Sequence, residues 1–167
     1  HLKLSLKLAE TGYRLTQANR LNVYLTNTLE SSPESGQKHI AGLFPALAQE
    51  ALCVGAIKRS KTFVVVMGNP PYSIQSQNLS ESCRAWVHPY RFLNGELIRE
   101  KGALQMEKAL QDDCVKFVAF SQQQIFAASV GVLGFITSHS FVDNPTLRGM
   151  RQSLEQTFQL THVVDLH

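Results

Sequence analysis

The sequence has few of the features that mark secreted, metal-binding or membrane proteins. Its three cysteines are odd in number, widely spaced and without a C-x-x-C pair, which disfavours a disulfide framework and a cysteine metal site. No apolar run approaches the roughly 20 residues that span a bilayer, and no secretory signal is evident. These absences predict a cytoplasmic protein that has no bound metal and no contact with a membrane.

Charge is also scarce. Charged residues make up 17% of the 167 residues and hydrophobic residues 44%, which is the balance of a globular domain rather than a disordered chain. The net charge of +3 permits a nucleic-acid partner without requiring one.

Strand-like and helix-like segments alternate along the chain. Residues 1–13 fit either a strand or a helix ended by Gly12, residues 30–38 read as a loop, and residues 79–95 are ambiguous. Two continuous apolar runs are typical of central strands that are buried on both faces. We predict strands at 20–26, 61–67, 131–137 and 161–166, and helices at 40–57, 96–109, 112–128 and from Asn144–Pro145 to about Phe158.

This alternation predicts an α/β fold with a mainly parallel sheet flanked by helices. Such sheets bind their ligands at the carboxyl ends of the strands. Three segments should share that edge: Asn27, the turn of residues 69–72, and the loop from Thr137 to Asn144.

The turn Asn69-Pro70-Pro71-Tyr72 directly follows an apolar strand and is the most informative feature. The two prolines fix consecutive φ angles, so the nearby carbonyl oxygens become rigid acceptors, and the Asn69 side-chain oxygen adds another. Two such acceptors can hold both hydrogens of a planar amine, while Tyr72 offers a face for stacking. The alternative is a purely structural turn in which Asn69 caps and Tyr72 packs.

On these residues the chain resembles the S-adenosylmethionine-dependent amino-methyltransferases of DNA, in which an Asn-Pro-Pro-Tyr motif is typical of adenine methylation. It resembles most the methyltransferase region of single-chain restriction-modification enzymes, some of which carry helicase and nuclease parts. The similarity runs almost from end to end. It is carried by MGNPPYSIQSQN (67–78), DDCVKFVAFSQQQI (112–125), GVLGFITSHSFVDNPTLRGMRQSL (131–154) and HVVDLH (162–167), and more weakly by HLKLSLKL and YLTNTLE near the start.

The resemblance implies a partial Rossmann-like methyltransferase domain that acts on a flipped adenine in double-stranded DNA. Asn69, Pro70 and Tyr72 would hold and stack the base, with Pro71 stiffening the turn. Asn27 and Asn69 would contact S-adenosylmethionine. Cys114 is a departure, because relatives often have tyrosine there after an acidic residue.

The resemblance also implies that residues 1–167 form the central part of one catalytic domain. The Gly-rich cofactor loop and the acidic residue that grips the ribose are expected before His1, and the target-recognition region is expected after His167. The remainder of the parent restriction-modification polypeptide would therefore be a partner, and the isolated segment is expected to be inactive.

Two other functions fit the same turn. One is methylation of protein glutamine or RNA guanine, which also present a planar amide or amine. The other is a non-catalytic DNA-binding or scaffold remnant of a restriction-modification protein.

The remaining candidate residues have structural interpretations that we favour over functional ones. Arg148 and Arg151 are three residues apart on a helix, so they could contact DNA phosphate, but a solvated face or local ion pairs are expected. His139 could contact a base but is expected to pack in its loop. The other expectations are surface solvation for Lys58, Arg59 and Lys61, no metal at Cys83 and His88, helix N-terminal charge for Asp112 and Asp113, and core packing for Phe117, Phe120 and Phe126.

Overall fold

The computed structural model describes residues 2–13, 16, 21–30, 45–72, 76–99 and 103–165. The chain groups into two compact units, the first formed by residues 1–27 and 33–57 and the second by residues 28–32 and 58–167. Most of the loop predicted at 30–38 lies outside the described residues. Among the described helices, none is both long and apolar enough to cross a membrane.

The first unit contains helix α1 (Leu2–Glu10) and helix α2 (Pro45–Ser60) as far as Ile57. Gly12 ends α1 in the left-handed conformation, with φ of 82°. The Tyr13 N–H donates to the Leu8 carbonyl at 3.1 Å and the Gly12 N–H to the Ala9 carbonyl at 3.0 Å, which is the Schellman pattern. Of residues 1–13, left open by the sequence, residues 2–10 are therefore helical and residues 11–13 form the turn that ends the helix.

The strand predicted at 20–26 is wrong for residues 21–26, which form no regular structure. The Val23 N–H donates to the Leu21 carbonyl at 2.8 Å, which is a tight turn rather than a ladder bond. Leu25 is 87% exposed. A strand needs a neighbour for its backbone groups, and no described strand pairs with this run. Asn27 consequently does not end a strand.

The second unit mixes helices with short strands. Its small parallel sheet is compatible with the predicted α/β class. In chain order its elements are β1 (Val65–Gly68), α3 (Glu81–Val87), a 3-10 turn (His88–Arg91), β2 (Phe92–Leu93), β3 (Glu96–Leu97), α4 (Ala103–Leu110), α5 (Asp113–Ala128), β4 (Val132–Phe135), α6 (Ser140–Asp143), a second 3-10 turn (Pro145–Leu147) and α7 (Arg148–Thr157).

Strands β1 and β4 pair in parallel, with Val65 opposite Val132 and Gly68 opposite Phe135. The expectation that both strands are buried on both faces is wrong. Each strand is four residues long. Among the described residues, α5 covers one face of the sheet and the other face is exposed. The exposed side chains are apolar: Val65 57%, Met67 80%, Val132 63% and Ile136 63%.

Helix α5 is the centre of the core, as its apolar run predicts. Its buried residues include Val115, Val118 and Ala119, which pack with residues of α3, α4 and α7. The helix begins at Asp112, whose carboxylate accepts the Cys114 N–H at 2.8 Å. Core packing is wrong for Phe126, which is 71% exposed, whereas Phe120 packs edge-on against Trp86 at 5.3 Å.

Two further predicted elements need correction. The helix predicted at 96–109 begins only at Ala103, because Asn94 and Gly95, both with positive φ, turn the chain into the β2–β3 hairpin. The strand predicted at 161–166 is wrong for residues 161–165, which are exposed and pair with no described strand. By contrast, the predicted helix start is confirmed, because the Asn144 side chain accepts the Thr146 N–H at 2.9 Å.

Gly149 allows α7 to lie directly against the backbone of residues 90–92. A β-carbon there would clash with the Tyr90 carbonyl oxygen and lie 2.7 Å from that of Phe92. Backbone atoms cannot move aside as a flexible side chain can. We expect Gly149→Ala to lower the free energy of unfolding by about 1–3 kcal/mol, measured by urea denaturation.

Gly134→Ala is the matched control, because a β-carbon on Gly134 meets nothing within 4 Å. That change should alter the free energy of unfolding by less than about 0.5 kcal/mol. Equal effects of the two alanines would contradict the close approach at Gly149.

Candidate functional site at the carboxyl edge of the parallel sheet

The Asn-Pro-Pro-Tyr turn lies where the sequence predicts, immediately after β1. Gly68 is the last residue of the strand, and its carbonyl accepts the Ile136 N–H at 3.1 Å. Since β1 and β4 are parallel, the turn and the segment after β4 leave the sheet at the same edge. Two of the three segments expected at this edge are therefore brought together.

The Tyr72 hydroxyl joins these two segments. It lies 3.0 Å from Oδ1 of Asn69 and 3.3 Å from the carbonyl oxygen of Ile136. A hydroxyl has one proton, so it donates to one of these acceptors at a time. The ring remains 55% exposed, which leaves area for a planar partner.

The turn presents oxygen atoms that are held in place. Pro70 is buried while Asn69 and Pro71 are exposed, so the turn is anchored at its centre and open at its sides. The two prolines donate no backbone hydrogen bond. The acceptors in the turn are Asn69 Oδ1, which accepts from the Tyr72 hydroxyl, and the Pro70 carbonyl, which makes no hydrogen bond to a described residue.

The N-terminal turn of α5 contacts both segments that follow the strands. On one side, Asp113 Oδ1 accepts from the Asn78 amide at 2.9 Å, and Lys116 donates to Ser76 Oγ at 2.9 Å. On the other side, the Ser138 backbone N–H interacts with the Cys114 thiol and lowers its pKa. Asp112 has the predicted N-terminal role, but the contact of Asp113 and the role of Lys116 were missed. The sequence marks Lys116 as the only cationic residue of α5, but it does not indicate which groups the ammonium binds.

Burial determines the state of the Cys114 thiol. The residue is 6% exposed, and burial raises its pKa to about 11, with the nearby Asp112 carboxylate adding to the effect. The Ser138 N–H opposes this shift by stabilising a thiolate. Cys114 is therefore a protonated, packed side chain.

The arginines predicted to be solvated are bound to backbone carbonyls instead. Arg151 donates to the carbonyls of Phe141 and Asn144 at 3.1 and 2.9 Å, and Arg148 donates to that of Pro145 at 3.2 Å. They hold the segment after β4 against α7.

The other candidate residues have mixed outcomes. His139 lies near two carboxylates, 3.5 Å from Asp143 and 3.9 Å from Asp165. Lys58 is not merely solvated, because it donates to the Glu30 carbonyl at 2.8 Å.

Asn27 belongs to the first unit, whereas the turn belongs to the second. The described part of the chain contains no group of three or more His, Cys, Asp or Glu side chains suited to a metal ion.

A family model described as "Eco57I restriction-modification methylase" matches residues 1–167. The chain belongs to this family. No curated protein and no solved structure matches it. Membership confirms that the chain is related to restriction-modification methyltransferases and indicates DNA methylation.

The buried state of Cys114 has a direct chemical test. Alkylation requires a thiolate, and a thiol with a pKa of about 11 is only roughly one-thousandth ionised at pH 8. We expect iodoacetamide to modify the half-buried Cys53 well before Cys114 in the native protein, as measured by peptide mass spectrometry. In urea the two rates should converge, and equal rates in the native protein would contradict the burial.

Proposed function

We propose that this methylase transfers a methyl group from S-adenosylmethionine to the exocyclic amine of adenine in DNA, as part of a restriction-modification enzyme. The observation that carries the proposal is the turn at the end of β1. There the Asn69 amide oxygen accepts a hydrogen bond from the hydroxyl of the half-exposed Tyr72, and the Pro70 carbonyl belongs to the same turn.

The acceptors suit an amine that must become a nucleophile. Asn69 Oδ1 and the Pro70 carbonyl each accept one amine hydrogen, which draws the nitrogen toward a tetrahedral shape and frees its lone pair. As the methyl group is transferred, positive charge develops on that nitrogen, and the same two oxygens stabilise it. Because the prolines hold the turn rigid, little reorganisation is needed during the reaction.

The Tyr72 hydroxyl has a second acceptor, and this matters when the substrate binds. With its proton directed to Ile136, both lone pairs of Asn69 Oδ1 become free for the amine. The ring stacks on the base, which must leave the duplex before its amine can be reached.

Bound S-adenosylmethionine supplies a methyl group activated by a positively charged sulfur. Side-chain amides fit such a cofactor, since each offers a donor and an acceptor to an adenine ring or an amino-acid group. We assign this contact to Asn69, together with Asn27.

The wider proposal follows the resemblance in the sequence. Residues 1–167 would be the central part of one partial Rossmann-like catalytic domain in a cytoplasmic enzyme. Its partners would be double-stranded DNA with a flipped target adenine and the remainder of the parent polypeptide.

Removal of one acceptor tests the proposal. In the full-length protein, Asn69→Ala should lower the methyl-transfer kcat by about 100- to 1,000-fold, because a preorganised acceptor for developing charge is lost. Transfer of tritiated methyl groups to DNA measures the rate. Gln123→Ala, which removes an exposed amide from α5, is the control and should leave the rate unchanged.

The product separates the alternatives. Digestion of the methylated DNA to nucleosides should yield N6-methyladenine. Label in protein glutamine or RNA guanine would replace the proposal with the alternative transfer, and no label in any substrate would support a non-catalytic remnant.

Two substitutions at Tyr72 separate stacking from hydrogen bonding. Tyr72→Phe keeps the ring and should lower kcat only about 3- to 10-fold, which is the net worth of one hydrogen bond. Tyr72→Ala should also weaken binding of the base by about 5- to 150-fold. Steady-state kinetics with a short duplex measures both effects. Equal losses in the two variants would contradict a stacking role for the ring.

A further inference from the structure

Lys116 is a cation that is buried within the second unit. Its side chain is 1% exposed, on a helix whose neighbouring residues Val115 and Val118 are core. Its ammonium donates to Ser76 Oγ at 2.9 Å and to the Asn78 carbonyl at 2.7 Å. Burial disfavours the charged form and lowers the Lys116 pKa.

The segment that Lys116 holds is bound at further points. The Asn78 N–H donates to Ser76 Oγ at 2.9 Å, and the Asn78 amide donates to Asp113 at 2.9 Å. The first turn of α5 thus binds residues 76–78 through two side chains, the ammonium of Lys116 and the carboxylate of Asp113. This segment follows Tyr72 closely along the chain.

The same helical turn also lies near the other side of the site. Cys114 lies between Asp113 and Lys116, and its thiol interacts with the Ser138 N–H, which lowers the thiol pKa. Ser138 is two residues after Ile136, whose carbonyl is an acceptor for Tyr72. A displacement of this turn would therefore reach both segments at the edge of the sheet.

Stability alone does not explain a buried lysine. Taking an ammonium out of water is costly, and an apolar side chain of similar size often serves the core as well. What the ammonium adds is two directed hydrogen bonds to one loop, at positions 38 and 40 residues away in sequence.

We propose that Lys116 is a positioning residue for methyl transfer: by binding Ser76 and Asn78 it fixes the segment that follows the Asn-Pro-Pro-Tyr turn, and with it the orientation of Asn69 and Tyr72. The proposal rests on the proposed function of the turn. Lys116 touches neither the base nor the cofactor, and it acts through the loop that it holds.

The test compares Lys116→Met with Lys116→Arg in the full-length protein. Misplacement of reacting groups by a fraction of an ångström slows chemistry, so Lys116→Met should lower the single-turnover transfer rate by about 10- to 100-fold. The KM for S-adenosylmethionine should change less than about twofold, because Lys116 does not contact the cofactor. Lys116→Arg keeps the positive charge and the hydrogen-bond donors. It should recover at least half of the loss in the single-turnover rate, measured on a logarithmic scale.

Lys108→Met is the matched control, since Lys108 is an exposed lysine on α4. It should leave the single-turnover rate unchanged. Ser76→Ala removes one of the two acceptors of the Lys116 ammonium. This variant tests the same contact if Lys116→Met does not fold. The double variant Ser76→Ala/Lys116→Met should be no slower than Lys116→Met, because both changes break the same contact.

Hydrogen exchange provides a readout that does not depend on catalysis. In Lys116→Met the backbone N–H of Asn78 should exchange faster than in the wild-type protein. In Lys108→Met its exchange rate should not change. A wild-type rate in Lys116→Met, or an equal loss in both lysine variants, would overturn the positioning role while the proposed function stood. A wild-type protein that transfers no methyl group to DNA would overturn both.

Discussion

The parallel pairing of β1 with β4 is the constraint on which the rest of the site depends. Parallel strands end at the same edge, so the register that sets Gly68 opposite Phe135 also brings the Asn-Pro-Pro-Tyr turn beside Ile136. The Tyr72 hydroxyl then bridges the two segments. Helix α5 supports the arrangement from the covered face, and side chains of its first turn bind Ser76 and Asn78 in the segment after β1. If the two strands were paired in another register, the same residues would not meet.

Features with a local physical cause could be predicted from the sequence. The turn could be located because proline fixes its own backbone, and α5 because its apolar residues cover more than one face of a helix, as in a largely buried helix. The Asn144 cap is likewise a contact between near neighbours. The Asn94-Gly95 hairpin turn has an equally local signal, because both residues readily adopt positive φ.

Features that depend on distant partners could not be predicted in this way. The runs at 21–26 and 161–165 have β-branched and aromatic residues typical of strands, yet a strand forms only where another strand offers its backbone groups. Exposure of Val65 and Met67 has the same origin, because the sequence of a strand does not say which of its faces is covered. The partners of long cationic side chains are harder still to predict from the sequence. The pattern around Arg151 and Lys116 gives no sign that their charges end on backbone carbonyls and a serine of other segments.

The proposed reaction depends on fixed oxygens rather than on a strongly basic group, so geometry is what must be tested. The most direct measurement is a crystal structure of the full-length protein with a DNA duplex that it methylates and a cofactor analogue that lacks a transferable methyl group. The account predicts an adenine outside the helical stack, with its amine nitrogen within about 3 Å of Asn69 Oδ1 and of the Pro70 carbonyl, and its ring against Tyr72. An amine that is bound by other residues, with Asn69 directed away from it, would contradict the account.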